Sequence, residues 1–173
     1  MIPLLKWVMR YRLRRRLPPV ESVRSVVVLC TANRVRSPFA EVMLRRALPV
    51  GVTVISRGVL KGGGRCPGEA IDAAQAYEVD LTAHRARQLA VDELLQADLV
   101  LTMELRMAHD LVTQYPSIAH KVAPLRTFDP QGGLVSGIED PYMLPPSEYT
   151  IAYEIIARCC TALGTQFPTG DRL

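Results

Sequence analysis

No apolar run in these 173 residues approaches the roughly 18 that a bilayer-crossing helix needs. The N-terminus carries no convincing secretory signal, because Lys6, Arg10 and Arg12 interrupt its apolar stretch and no small-residue cleavage site comes after it. Both absences point to the cytoplasm. Cysteines are few: Cys30, Cys66, Cys159 and Cys160, the last two adjacent, which is not the framework of a disulfide-stapled secreted domain. The three histidines, His84, His109 and His120, stand far from any cysteine, so no zinc spacing is present and neither metal nor other cofactor is expected. Internal repeats are absent, and so are low-complexity tracts outside the N-terminal segment.

Acids are missing from the first 19 residues, which carry Lys6, Arg10, Arg12, Arg14, Arg15 and Arg16. The chain's formal charge is +4, and without those six cations the remainder stands at −2. Basicity is therefore a property of the tail, and the domain shows no nucleic-acid footprint. Pro18-Pro19 separates the tail from the rest of the chain, which divides into a basic extension, 1–22, and a domain, 23–173. Residues 1–16 could form a cationic amphipathic helix making weak contact with an anionic membrane or an acidic partner. A mobile, solvated extension is the blander expectation.

The chain as a whole is 49% hydrophobic and 22% charged, enough for one domain with a sizeable core. SVVVLC (25–30) is a β-branched run suited to a strand buried on both faces. Pro38 to Leu48 reads as a helix, with Phe39, Ala40, Met43, Leu44 and Ala47 on one face and Glu41, Arg45 and Arg46 outside. VTVIS (52–56) reads as a strand, the glycine-rich KGGG (61–64) as a loop, and about 67–77 as a helix. Then come a short helix at 91–96, strand DLVLTM (98–103), a helix from Glu104 and strand KVAPL (121–125). A long loop leads to a last helix, about 147–163, ended by Gly164. Strands alternating with helices predict an α/β domain with a parallel sheet covered on both faces.

Cys30 and Arg36 are separated by five residues in CTANRVRSP, a spacing that means little without its context. Cys30 ends a strand, the loop after it is short, and Pro38 opens a helix whose N-terminus points back at the loop. Ligands of open α/β sheets bind there, beyond the carboxyl ends of the strands. Amides converging in a tight turn, with a helix N-terminus behind them, favour an anion. Arg36 can offer a bidentate fork to two phosphate oxygens. The same field favours a thiolate, making Cys30 a nucleophile that needs no separate base. The Ser37 hydroxyl can hydrogen-bond that sulfur, and Asn33 tolerates the left-handed backbone a tight turn requires. A buried structural cysteine and a solvated arginine are the plain alternatives. Leaving-group protonation needs an acid, and Asp-Pro occurs twice, at Asp129 and at Asp140 in IEDPY (138–142). From the residues alone the two aspartates are equivalent.

CTANRVRSPFAE resembles the phosphate-binding loop of the low-molecular-weight protein tyrosine phosphatases, and DPY (140–142) resembles their general-acid loop. The resemblance extends over S-R-G (56–58), LTAHRARQL (81–89), DLVLTME (98–104), FDPQGGL (128–134) and ARCC (157–160), nearly the whole chain after Ser25. It implies a single three-layer domain with a four-stranded parallel sheet of order 2-1-3-4 flanked by helices. It also implies hydrolysis of phosphotyrosine through a phosphocysteine intermediate, with no metal. By position, Cys30 is the nucleophile, Arg36 binds phosphate and Asp140 serves as acid, then base. Thr31, Ala32, Asn33, Arg34, Val35, Ser37 and Tyr142 would surround the substrate, with Ser56 and His84 ordering the loop from behind. The implied partner is a phosphorylated protein, for which tyrosine kinases of bacterial exopolysaccharide synthesis are one analogy.

Three departures from the family pattern stand in the loop. Val35 replaces a second cysteine, so the family's protective disulfide cannot form. Ala32 stands where glycine is usual. Arg34 occupies a pocket-wall position that is usually apolar in tyrosine phosphatases and threonine in the related protein-arginine phosphatases. The loop after Ser56 also lacks the aromatic that usually flanks the substrate ring, leaving Tyr142 as the wall for a phenyl group. The alternatives are a protein-arginine phosphatase, an arsenate reductase on the same fold, and a non-catalytic phosphate-reading module. Arsenate reduction linked to thioredoxin would need two further mid-chain cysteines, and none lies between Cys66 and Cys159.

Overall fold

The computed structural model describes residues 17–132 and 137–168. The amphipathic segment expected over residues 1–16 lies outside the described residues. Four strands, β1 (Ser25–Cys30), β2 (Thr53–Gly58), β3 (Leu99–Thr102) and β4 (Val122–Pro124), form one parallel sheet in the order β2-β1-β3-β4, as expected. Among the described residues five helices accompany it: α1 (Arg36–Ala47), α2 (Gly68–Gln75), α3 (Val91–Gln96), α4 (Leu105–Gln114) and α5 (Pro146–Gly164). Single 3-10 turns occupy Val20–Ser22, Pro116–Ile118 and Leu125–Phe128.

The two-residue period of β1 divides the interior. Val26, Val28 and Cys30 face a core built with α1, α2 and α5, whereas Val27 and Leu29 face one built with Leu94 of α3 and Met107, Ala108 and Leu111 of α4. With both faces covered, the strand has no polar side to display, which is why its sequence is a continuous apolar run. Leu17 and Val20 pack against the first core.

Two element ends depart from expectation in ways that matter for the site. Helix α1 begins at Arg36, two residues before Pro38. Pro38 sits in its first turn, where a missing N–H loses no helical bond. Arg36 and Ser37 are thereby built on the helix and buried with it. Strand β2 runs on to Gly58, which pairs with Cys30, so both strands stop at the same level. Gly58 also lets the loop after β1 lie directly on β2: a Cβ there would stand 2.9 Å from the Ala32 carbonyl carbon and 3.1 Å from the Asn33 nitrogen.

Gly164 does not stop α5 from outside; it is the last helical residue, and Thr165 caps the helix. Its lack of a side chain serves packing, because a Cβ would lie 2.5 Å from the Ala47 carbonyl oxygen at the end of α1. Asp98 fastens β1 to β3, accepting hydrogen bonds from the N–H groups of Arg24 and Ser25 (2.9 Å each) and from the Ser25 hydroxyl (2.8 Å). The Arg24 amide bond, opposed by burial and supported by the Ser25 bonds and the charge of Lys121, holds its carboxyl below the usual carboxylate value.

Replacing Gly164 by Ala should lower stability by about 1–3 kcal/mol, the usual cost of overpacking, read as a shift in the urea midpoint without a change in slope. A carboxyl held ionised in the fold contributes stability above its unfolded pKa and loses it as pH falls through the folded value. Unfolding free energy should therefore decline below about pH 4. Asp98→Asn should flatten that decline, and an unchanged acid limb would show that Asp98 does not contribute.

Candidate active site

The loop between β1 and α1 is held open by one asparagine. Asn33 adopts φ 54°, the left-handed turn expected of it, and is fully buried. Its Nδ2 donates to Ser37 Oγ (3.0 Å) and Ser56 Oγ (2.9 Å), and its Oδ1 accepts from the Arg87 N–H (2.9 Å). Both side-chain protons and the carbonyl are thus engaged. His84 Nε2 lies 2.9 Å from the Asn33 carbonyl oxygen. Ser56 and His84 therefore stand where expected, behind the loop. Glu41 of α1 reinforces them, accepting from the Ser56 N–H at 2.8 Å.

Cys30 Sγ receives two donors, the Asn33 N–H at 3.2 Å and the Ser37 hydroxyl at 3.0 Å. Ser37 has one proton; its other acceptor, the Arg57 carbonyl, is farther away at 3.4 Å. Since Ser37 Oγ accepts from Asn33, its proton is directed toward sulfur. Among the described residues, the N–H groups of Ala32, Arg34 and Val35 donate to no main-chain acceptor. They are among the loop's available donors.

Arg36 is fully buried. One terminal nitrogen, Nη1, donates to Glu104 Oε1 (3.0 Å) and to the Ile138 carbonyl (2.8 Å). The other, Nη2, donates to Thr31 Oγ1 (3.2 Å) and pairs with Asp140 Oδ2 at 2.5 Å. Nε is buried and has no partner among the described residues. A buried guanidinium normally spends all five protons. The donor left over, beside a loop with open amides, marks where an anion with several oxygens would be gripped.

The two aspartates, equivalent in sequence, separate here. Asp129 is 1% exposed and gripped by Arg158, Nε to Oδ1 at 2.8 Å and Nη2 to Oδ2 at 3.0 Å. Burial works to raise its carboxyl, but the Arg158 bonds, the Gln131 N–H and the charges of Arg158 and Arg126 outweigh that and hold it low. It is a strut between the 129–132 turn and α5. Asp140 is 40% exposed, beside Arg36 at the open side of the loop. Asn33 and Ser37 thus share one network with Cys30, and Thr31 and Asp140 share another with Arg36.

Arg34 and Tyr142 form a separate wall. The Arg34 guanidinium carbon lies 5.4 Å from the Tyr142 ring centroid, Nε donates to the Arg65 carbonyl at 2.9 Å, and Nη1 lies 3.5 Å from the Tyr142 hydroxyl. Val35 points into the core, its carbonyl accepting from the Tyr153 hydroxyl at 3.1 Å. Sequence reasoning missed Glu104, which steadies Arg36. Its signal was topological: an acid two residues beyond β3, the strand beside β1, lies at the same carboxyl edge of the sheet. No cluster of three or more metal-ligating side chains occurs among the described residues.

A cysteine at the end of a central parallel strand, with a buried guanidinium and open amides on the loop that follows it, makes a cradle whose donors suit a tetrahedral oxyanion. Residues 25–169 match the model of the low molecular weight phosphotyrosine protein phosphatase family. Similar proteins include the probable low molecular weight protein-tyrosine-phosphatase EpsP of Ralstonia nicotianae, 30% identical over 79% of this chain and 90% of that one. Another is the low molecular weight protein-tyrosine-phosphatase Wzb of Salmonella typhi, 33% identical over 77% of this chain and 87% of that one. Among solved structures, Vibrio vulnificus Wzb in complex with benzylphosphonate superposes with a TM-score of 0.75 at 26% identity, covering 84% of this chain and all of that one. The YwlE arginine phosphatase from Geobacillus stearothermophilus gives 0.73 at 25% identity, covering 82% and 91%. The chain belongs to the low-molecular-weight protein-tyrosine-phosphatases, a family of phosphoric-monoester hydrolases.

Cys66 is buried in the same core cluster as Cys30, and burial, the largest influence, pushes its thiol up to about 11 despite the nearby Arg34. Protonated at neutral pH, it is a poor substitute for the cysteine that Val35 replaces. Peroxide should therefore inactivate this enzyme less reversibly than relatives with the vicinal pair, leaving sulfinic or sulfonic acid at Cys30 by mass spectrometry. Full recovery of activity with excess thiol would contradict this.

Proposed function

We propose that the enzyme hydrolyses phosphotyrosine in proteins through a phosphocysteine intermediate, using no metal. The observation that carries this reading is the buried Arg36 guanidinium with its unpartnered Nε, set beside the loop that aims two donors at Cys30 Sγ. A phosphate dianion entering the loop takes Arg36 Nε and the amides of Ala32, Arg34 and Val35. Nη2 turns from Asp140 toward a phosphoryl oxygen, which frees the carboxyl to face the leaving group.

Cys30 sulfur attacks phosphorus as the bond to the phenolic oxygen breaks, and Asp140 gives its proton to that oxygen. Charge on the transferring group is met by donors already in place, so little reorganisation is required. Asp140, now a carboxylate, takes a proton from the water that attacks the thiophosphate. The sulfur–phosphorus bond breaks, and sulfur leaves as a thiolate stabilised by the Ser37 hydroxyl and the Asn33 N–H.

Arg34 supports tyrosine over arginine as the phosphorylated residue. A neutral phenyl ring is compatible with the planar guanidinium and with the Tyr142 ring. The guanidino leaving group of phosphoarginine carries positive character, and Arg34 opposes it.

With para-nitrophenyl phosphate, Cys30→Ser should abolish turnover and Asp140→Asn should lower kcat by about 10²–10⁴-fold. Asp129→Asn should mainly lower stability. A larger kinetic loss from Asp129→Asn than from Asp140→Asn would reverse the assignment, and no turnover by the unaltered enzyme would identify a phosphate reader. Phosphotyrosine peptides should have a higher kcat/KM than phosphoarginine peptides, and Arg34→Thr should narrow the gap.

A further inference from the structure

The mouth of the site is electrically lopsided. Loops 59–67 and 81–90 carry Lys61, Arg65, Arg85 and Arg87, all exposed, and neither loop contains Asp or Glu. Both are tied to the phosphate loop: the Leu60 N–H donates to the Thr31 carbonyl (3.0 Å), and the Arg87 N–H donates to Asn33 Oδ1 (2.9 Å). They are also tied to each other, Ala86 N–H to the Gly64 carbonyl at 2.9 Å, and Arg34 reaches between them to the Arg65 carbonyl. None of these five side chains forms an ion pair with a described residue. Glu93, which follows the second loop, already holds Arg57 through two bonds to Nε and one to Nη2. Acids gather on the opposite lip, where Glu104 and Asp140 serve Arg36 and Glu139 is exposed.

Beyond residue 19 the chain is net negative, so five unpaired cations on one lip are a local arrangement and not a reflection of composition. Like charges so close repel one another. A cleft that already draws a dianion gains further anion attraction from them, and field lines concentrate toward its mouth.

We propose that Arg34, Lys61, Arg65, Arg85 and Arg87 form a reading surface for anionic groups on the residues flanking the phosphotyrosine, so that the preferred substrates are acidic phosphotyrosine segments. This rests on the phosphotyrosine activity proposed for the site and adds to it the charge of the sequence around the phosphorylated residue. Carboxylates and a second phosphate share the required chemistry, since both pair with the same guanidinium fork. The effect falls on encounter and KM, because the rim lies outside the bond-making atoms.

The test compares kcat/KM for para-nitrophenyl phosphate, a phosphotyrosine peptide with neutral flanks, one with Asp and Glu flanks, and one with a neighbouring second phosphotyrosine. Each is measured at low and high salt for the enzyme and for Lys61→Gln/Arg65→Gln/Arg85→Gln, whose melting temperature serves as the folding control. The acidic peptide should exceed the neutral one by about 10-fold at low salt. That preference should shrink with salt and in the triple variant, while para-nitrophenyl phosphate turnover stays unchanged. A gain confined to the doubly phosphorylated peptide would support the rim and identify phosphate as the anion it reads. Equal turnover of acidic and neutral peptides, or a preference that survives the triple variant, would overturn the proposal. So would rim-dependent binding to anionic vesicles without peptide preference, which would assign the surface to membranes. Failure to hydrolyse any phosphotyrosine substrate, para-nitrophenyl phosphate included, would instead defeat the phosphotyrosine reading.

Discussion

A guanidinium removed from water is the constraint around which this molecule is arranged. Arg36 sits at the first residue of α1 with no exposed surface. A buried charge is tolerated only when it is paired and hydrogen-bonded. Glu104 arrives from the end of β3, the Ile138 carbonyl and Asp140 from the loop before α5, and Thr31 from the phosphate loop itself. Three segments, two of them distant in sequence, thus converge on one cation that must be satisfied. The convergence leaves a single donor over, and that surplus is what a ligand can use.

The sheet makes such convergence possible. Parallel strands all deliver their carboxyl ends to one edge, and β1, β2 and β3 stop there together. Cys30, Gly58 and Thr102 are therefore neighbours by topology before any side chain is considered. Gly58 permits the loop to lie flat on β2, and Asn33 gives the loop its turn while consuming all its own polar groups. The sulfur is positioned by backbone, and the anion would be positioned by amides and Arg36.

Much of this was readable from residues alone. A β-branched run, alternating helices and a Cys-to-Arg spacing located β1, the sheet type and the loop, and the family resemblance supplied the strand order. Element interiors were legible because burial imposes a period on them. Ends were not: the start of α1 at Arg36 and the extension of β2 to Gly58 depend on contacts across the sheet that no local pattern records. Asp129 and Asp140 look alike in sequence, each followed by proline. The family resemblance pointed to Asp140, and the partners, Arg158 for Asp129 and Arg36 for Asp140, separate a strut from a candidate acid. Glu104 was invisible for the same reason, since its importance lies in what β3 places it beside.

The segment between Asp129 and Asp140 is anchored at both of its ends. Arg158 holds Asp129 to α5, and Gly137, in a backbone conformation of φ 124° that side-chain-bearing residues rarely adopt, bridges to Glu104 while the Ile138 N–H bonds the Met103 carbonyl. The second anchor lies three residues from Asp140, so the carboxyl takes its position from β3 and not from the stretch of chain leading up to it. Such an architecture isolates chemistry from ornament. Insertions and deletions between the anchors can accumulate over a lineage, altering what the surface meets, without a compensating change at the reacting atoms.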